Sequence, residues 1–253
     1  MGLTIHWSFK GPKTKAEAKA VIEKLRQRAM DLPFESVSAI VQFKGEAANF
    51  ENDPDGKHRW LKIQARETIW SKDGRTGWDV RPTEIIGFQI IVAPGSEPME
   101  VFLATYPKTI LIQDERTRTP KRLRTNRTGW SGGGFTKTQY ASRPDCGGVT
   151  NFLRAHLSVC RMLDRAKELG ILESVSDEGD FFEKRDIPAL VNEVGEWNSF
   201  IAAGVGAMDE LVGTPCIAPI KDYPDFEMLE AKGQDQIDGL LRWIKERQLA
   251  ANR

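Results

Sequence analysis

The residues best suited to chemistry gather in one stretch: Lys137, Tyr140, Ser142 and Arg143, followed by Asp145-Cys146-Gly147-Gly148. Val149, Leu153, Leu157, Cys160 and Leu163 then recur at helical spacing, so the two glycines stand at a helix start. Unencumbered backbone N–H groups there, at the positive end of the helix dipole, favour a carboxylate or phosphate. Arg124 and Arg127, a short way upstream, are the cations that would close over such a group. The pattern predicts a site for a small anionic ligand, phosphorylated or carboxylated, made by Lys137, Tyr140, Ser142, Arg143, Gly147, Gly148, Arg124 and Arg127. An enzyme and a plain binding protein both fit it. So does a simple helix start, capped by Asp145 or Thr150, with glycines that only tighten the turn.

Other reactive groups are more isolated. Cys146 at the helix start gains thiolate character from dipole and cations, but His156 sits well along the helix near the edge of its apolar stripe. A hydrogen-bonded core histidine therefore competes with a Cys-His pair, and no catalytic residue is assigned. Ser131-Gly132-Gly133-Gly134 lacks the flanking strand and helix of a phosphate loop and reads as a flexible turn. Arg116, Arg118, Lys121, Arg122, Arg124 and Arg127 form the sharpest charge bias, with Trp130 behind them. Such a run grips a nucleic-acid backbone, clamps a phosphorylated small molecule, or pairs with the acidic run Glu173, Asp177, Glu178, Asp180, Glu183 and Asp186. Asp177, Glu178 and Asp180 beside Gly179 offer hard oxygen ligands but depart from calcium-loop spacing, and no metal is assigned. Nucleotide fingerprints, P-loops, nucleophile elbows and zinc spacings are absent, so no cofactor follows.

The totals limit the partners. Lys plus Arg and Asp plus Glu both number 36, which lacks the basic excess of a dedicated nucleic-acid binder. Nucleic acid or a protein stays as the alternative partner, for a non-catalytic interaction module using residues 116–127 with Trp60 and Trp70. Hydrophobic residues at 40% and charged residues at 28% are globular proportions. Cys146, Cys160 and Cys216 form no C-x-x-C pair, which suits a reducing compartment. No apolar run approaches the roughly 20 residues of a membrane span. The opening residues alternate like a strand rather than a leader, so a cytoplasmic setting is expected.

The elements that must position these groups follow from periodicity. Leu3, Ile5, Trp7 and Phe9 alternate as a strand, and Thr14 with Glu17 opens a helix over 14–31. Alternation over 36–44 completes a strand, helix, strand unit. The loop Asn52-Asp53-Pro54-Asp55-Gly56 has turn chemistry. Residues 59–70 read as a strand with Leu61, Ile63, Ala65 and Ile69 inward. With the first strand they would show a polar face of Thr4, His6, Ser8, Lys62, Gln64 and Arg66 between Trp60 and Trp70. Residues 84–92 and 99–106 are apolar on both sides, as central strands are. Residues 107–133 lose periodicity and read as a basic connection.

A strand at 135–140, a helix to Leu169 ended by Gly170, and a strand at 172–175 repeat the order of residues 3–44. Two related halves, 1–106 and 134–253, are compatible with this. Asp186 caps a long helix with Pro188 in its first turn, and a last helix spans 234–249, burying Ile237, Leu240, Leu241 and Ile244. The predicted class is α+β: one domain with a mixed or antiparallel sheet and helices mainly on one face.

Gly134-Phe-Thr-Lys-Thr-Gln-Tyr-Ala-Ser142, Gly147-Gly148, Asn151-Phe-Leu-Arg154, Val175-Ser-Asp-Glu-Gly179 and Glu183-Lys-Arg-Asp186 give the central third of the chain its character. In these motifs it resembles a family of uncharacterised bacterial proteins. The resemblance implies a bacterial, cytoplasmic setting and carries over no activity, cofactor or catalytic residue.

Overall fold

A computed structural model of the protein describes residues 3–52, 56–71, 73–113, 119–213 and 217–251. Arg116, Arg118, Cys216 and the centre of the Asn52 to Gly56 loop lie outside these residues, as do the side chains of Leu240, Leu241 and Ile244. The first part of the chain forms β1 (Thr4–Lys10), α1 (Lys15–Met30), β2 (Ser36–Val37), β3 (Val41–Lys44), α2 (Arg59–Gln64), β4 (Glu67–Trp70) and β5 (Gly77–Val80). Then come β6 (Glu84–Ile91), β7 (Met99–Thr105), β8 (Thr109–Gln113), β9 (Pro120–Arg124) and β10 (Ser131–Lys137). The rest comprises α3 (Gly148–Glu168), β11 (Leu172–Asp177), α4 (Phe181–Lys184), α5 (Ile187–Val212) and α6 (Phe226–Ala251). No helix among the described residues is long and apolar enough to cross a membrane.

One sheet runs in the order β11-β1-β10-β7-β6-β2, with β3 also paired to β6, and every neighbouring pair is antiparallel. The α+β class is as predicted. On one face, Leu3 just before β1, Ile5, Trp7 and Phe9 of β1 and Val101 and Leu103 of β7 pack against Ile22 and Leu25 of α1 and Phe152, Val159 and Leu163 of α3. On the other, Ile85, Phe102 and Ala104 meet Leu61 and Ala65 at α2 and Val80 of β5. The β6–β7 hairpin is therefore buried on both sides, as its unbroken apolar pattern requires. Strand β1 inserts between β10 and β11, so the two strand, helix, strand segments share one sheet.

The helix start at α1 is a complete capping box: the Glu17 amide donates to Thr14 Oγ1, and the Glu17 carboxylate accepts from the Thr14 amide. Thr14→Ala leaves a first-turn N–H without its acceptor and is expected to lower stability by about 1 kcal/mol in urea unfolding.

Several elements differ from their sequence pattern. Residues 59–70 are not one strand: α2 occupies Arg59–Gln64 and β4 follows. Leu61 and Ala65, four residues apart and both fully buried, share one helical face, while Leu61, Ile63 and Ala65 also match an alternating template. The stretch 36–44 splits into β2 and β3, both on β6, and three strands separate β2 from β1. The glycine run is not a turn but the first half of β10. A Cβ on Gly132 would run into the Phe102 carbonyl oxygen, and one on Gly134 into the Gln64 amide, so these glycines permit close approach. The basic connection contains the β8–β9 hairpin, with Ile110 opposite Leu123. The last helix begins at Phe226, eight residues before 234.

Candidate functional site

The site with the most unspent polar capacity lies where α2 crosses the sheet beside β7 and β10. A cavity of about 240 Å³ is lined by Trp60, Gln64, Glu97, Pro98, Glu100 and Phe135. Trp60 and Gln64 are one helical turn apart on α2, and Glu100 belongs to β7 opposite Gln89 of β6. Glu100 is 0% exposed. Its Oε1 accepts from Gln89 Nε2 at 2.6 Å, while its Oε2 and Gln64 Oε1 are buried without a hydrogen-bond partner among the described residues. Trp7 Nε1 is a third such atom, and a Cβ on Gly134 would lie 3.2 Å from the Trp7 ring.

Desolvation in this setting raises the Glu100 pKa from 4.5 to about 7, against the opposing pull of the Gln89 bond. At the rim, Glu97 accepts from the Lys137 amide at 3.2 Å and lies 3.9 Å from Lys137 Nζ. The walls are aromatic and open: Trp60 is 50% and Phe135 41% exposed, and the His6 ring stands 5.6 Å from Phe135.

The predicted anion site is dispersed. Lys137 faces Glu97. Arg143 makes a bidentate pair with Asp145 and lies 3.5 Å from Asp222. The Gly147 amide donates to the Pro144 carbonyl and the Gly148 amide to the Arg143 carbonyl, in the tight turn that leads into α3. Ser142 is buried against Tyr223 and Asn198, and Tyr140 is half-buried in the preceding 3₁₀ turn. Arg127 pairs with Glu67 at 2.7 Å, and Arg124 is exposed on β9 opposite Thr109. Both precede β10, and Arg127 is held at β4, whereas Gly147 and Gly148 follow β10 at the start of α3.

Burial, then the adjacent Asp145 charge, pushes the Cys146 thiol up rather than down. Trp130 is buried and offers no stacking face to a nucleic acid. Of the predicted polar face, only Gln64 and Trp60 line the cavity, and His6 reaches it through Phe135. Lys62 lies over the Phe43 ring, Arg66 pairs with Asp79, and Ser8 bonds to Ser174. In the acidic run, Glu178 accepts from the Thr4 amide, Asp180 pairs with Lys184, and Asp177 turns inward to His156.

Glu97, Pro98, Glu100 and Gln89 were not distinguished by sequence pattern. The signal was a lone carboxylate, Glu100, at the head of a segment apolar on both faces. Comparison with protein-family models, curated proteins and solved structures returns no match for this chain.

Proposed function

We propose that the protein binds a small nitrogenous ligand, flat or cationic, in the cavity between α2, β7 and β10. The observation that carries this is that two residues lining one cavity, Glu100 and Gln64, each hold a buried acceptor, Oε2 and Oε1, with no donor among the described residues to satisfy it. Leaving such atoms unmade costs about 1–3 kcal/mol each, more for a charge, and a ligand with two N–H donors recovers that cost. Trp60 and Phe135 supply faces for stacking and for cation–π attraction. Two carboxylates, only one of them facing a lysine, disfavour an anion at this position. Amidines, guanidines, aromatic amines and the amino edge of a nucleobase meet these demands; benzoate does not.

Benzamidine is the simplest probe. It is expected to raise the melting temperature of the full chain in proportion to the logarithm of its concentration, with benzoate inert. Trp60→Ala and Glu100→Gln are each expected to weaken benzamidine binding about tenfold or more at pH 8 in calorimetric titration, since a charge-assisted bond contributes about 1.5–3 kcal/mol. Equal binding of benzoate, or affinity unchanged in Glu100→Gln, would overturn the proposal.

A further inference from the structure

On the far side of β1 from the cavity strands, three side chains of metal-binding type meet in the core. His156 and Cys160 are four residues apart on α3 and share one helical face, and Asp177 ends β11. One ligand atom from each lies within 4.8 Å of the others. We infer that His156, Cys160 and Asp177 form a binding site for a single divalent transition-metal ion, zinc by its ligand chemistry.

The spacing is already close to what such an ion imposes. His156 Nε2 lies 3.1 Å from Asp177 Oδ1 and 3.2 Å from Oδ2, and Cys160 Sγ lies 4.0 Å from Oδ2. Tetrahedral zinc, with bonds of about 2.1 Å to nitrogen and oxygen and about 2.3 Å to sulfur, separates nitrogen from oxygen by about 3.4 Å and sulfur from oxygen by about 3.6 Å. The imidazole and carboxylate need little movement, and the sulfur, 4.0 Å from Oδ2 and within 4.8 Å of the imidazole nitrogen, closes by about 1 Å or less. A mixed nitrogen, sulfur and oxygen set excludes calcium and magnesium, which take oxygen ligands.

Both outer ligands are oriented from behind. His156 Nδ1 is 2.9 Å from Thr138 Oγ1, which can accept from it and so leave Nε2 as the metal-facing nitrogen. Asp177 is held by the Gly179 amide at 2.9 Å and the Phe182 amide at 2.8 Å. Phe152 and Phe181 stand 5.4 and 6.4 Å from the His156 ring and supply the apolar surround. The cover is α4, bounded by two non-glycine residues in the left-handed region, Asp180 and Arg185, each at φ 55°. Arg185 stacks over Phe182 and pairs with Asp164 of α3, clamping α4 across the ligands. Opening this one-turn segment is the entry path for the ion.

The test uses the full chain stripped with a chelator and titrated with cobalt. One equivalent per chain is expected to bind with a thiolate-to-cobalt charge-transfer absorption, bleached by one equivalent of zinc, and zinc is expected to raise the melting temperature. Cys160→Ala retains the His156–Asp177 bond and should stay folded by circular dichroism, yet lose both the absorption and the zinc-dependent shift; Cys146→Ala should keep both. Absence of the charge-transfer band, its survival in Cys160→Ala, or a melting temperature indifferent to zinc would reduce the cluster to a hydrogen-bonded core network.

Discussion

Glu100→Gln is expected to gain stability over the natural chain as pH rises, the difference widening by about 3 kcal/mol between pH 4 and pH 8. The cause is the buried position of a carboxyl raised from 4.5 to about 7 in the folded protein. Between those values the folded chain holds a proton that the unfolded chain has released, so the contribution of Glu100 is greatest in acid and declines as pH climbs through about 7. Glutamine has nothing to ionise, and the Gln89 amide can still donate to its oxygen. Urea unfolding of both proteins across this range measures the gap. A gap that does not vary with pH would mean that Glu100 ionises like a surface carboxylate. A bound cation reverses the effect, because it favours the ionised form: benzamidine should flatten the pH dependence of the natural chain and leave that of the variant unchanged.

How much of this was legible in the sequence depends on whether a signal was local. The Thr14 and Glu17 box, the Asp186 cap and the Gly170 stop are written within a few residues, and all three take the form expected. Residues 59–70 failed because a short amphipathic segment satisfies helical and alternating templates together, and only the partner surface chooses between them. The glycine run failed for a similar reason. What forbids side chains there is the Phe102 carbonyl and the Gln64 amide, 30 and 70 residues away in sequence.

The candidate cavity was half visible. Trp60 and Gln64 share a face whether the segment is helix or strand, because residues four apart share a face on a helix just as residues two apart do on a strand. Glu100 was hidden by its apolar neighbours, although a carboxylate flanked by Met99, Val101, Phe102 and Leu103 has few exposed places to go. The anion site misled in the opposite direction. Cations clustered in sequence need not converge, and each of Lys137, Arg127 and Arg143 lies beside its own carboxylate. Charge clusters in sequence do not specify a field in space unless the counter-charges are placed as well.

Asp177→Ala is expected to be the most damaging single polar substitution in the core, lowering stability by about 3–5 kcal/mol in metal-free buffer. Burial opposes the charge of Asp177, yet the His156 bond and charge and the Phe182 and Gly179 amides together hold its pKa below the usual carboxylate value. Removing the carboxylate leaves His156 Nε2 and two backbone N–H groups without their acceptor, in a region walled by Phe152 and Phe181. Cys160→Ala removes a small apolar group and one weak contact, so its loss should be smaller. Chemical unfolding of the three proteins ranks these costs, and equal losses for the two variants would show that packing rather than hydrogen bonding sets the stability here. Repeating the series with zinc separates network from ion: only the natural chain has all three ligands, so its lead over both variants should widen by the same amount.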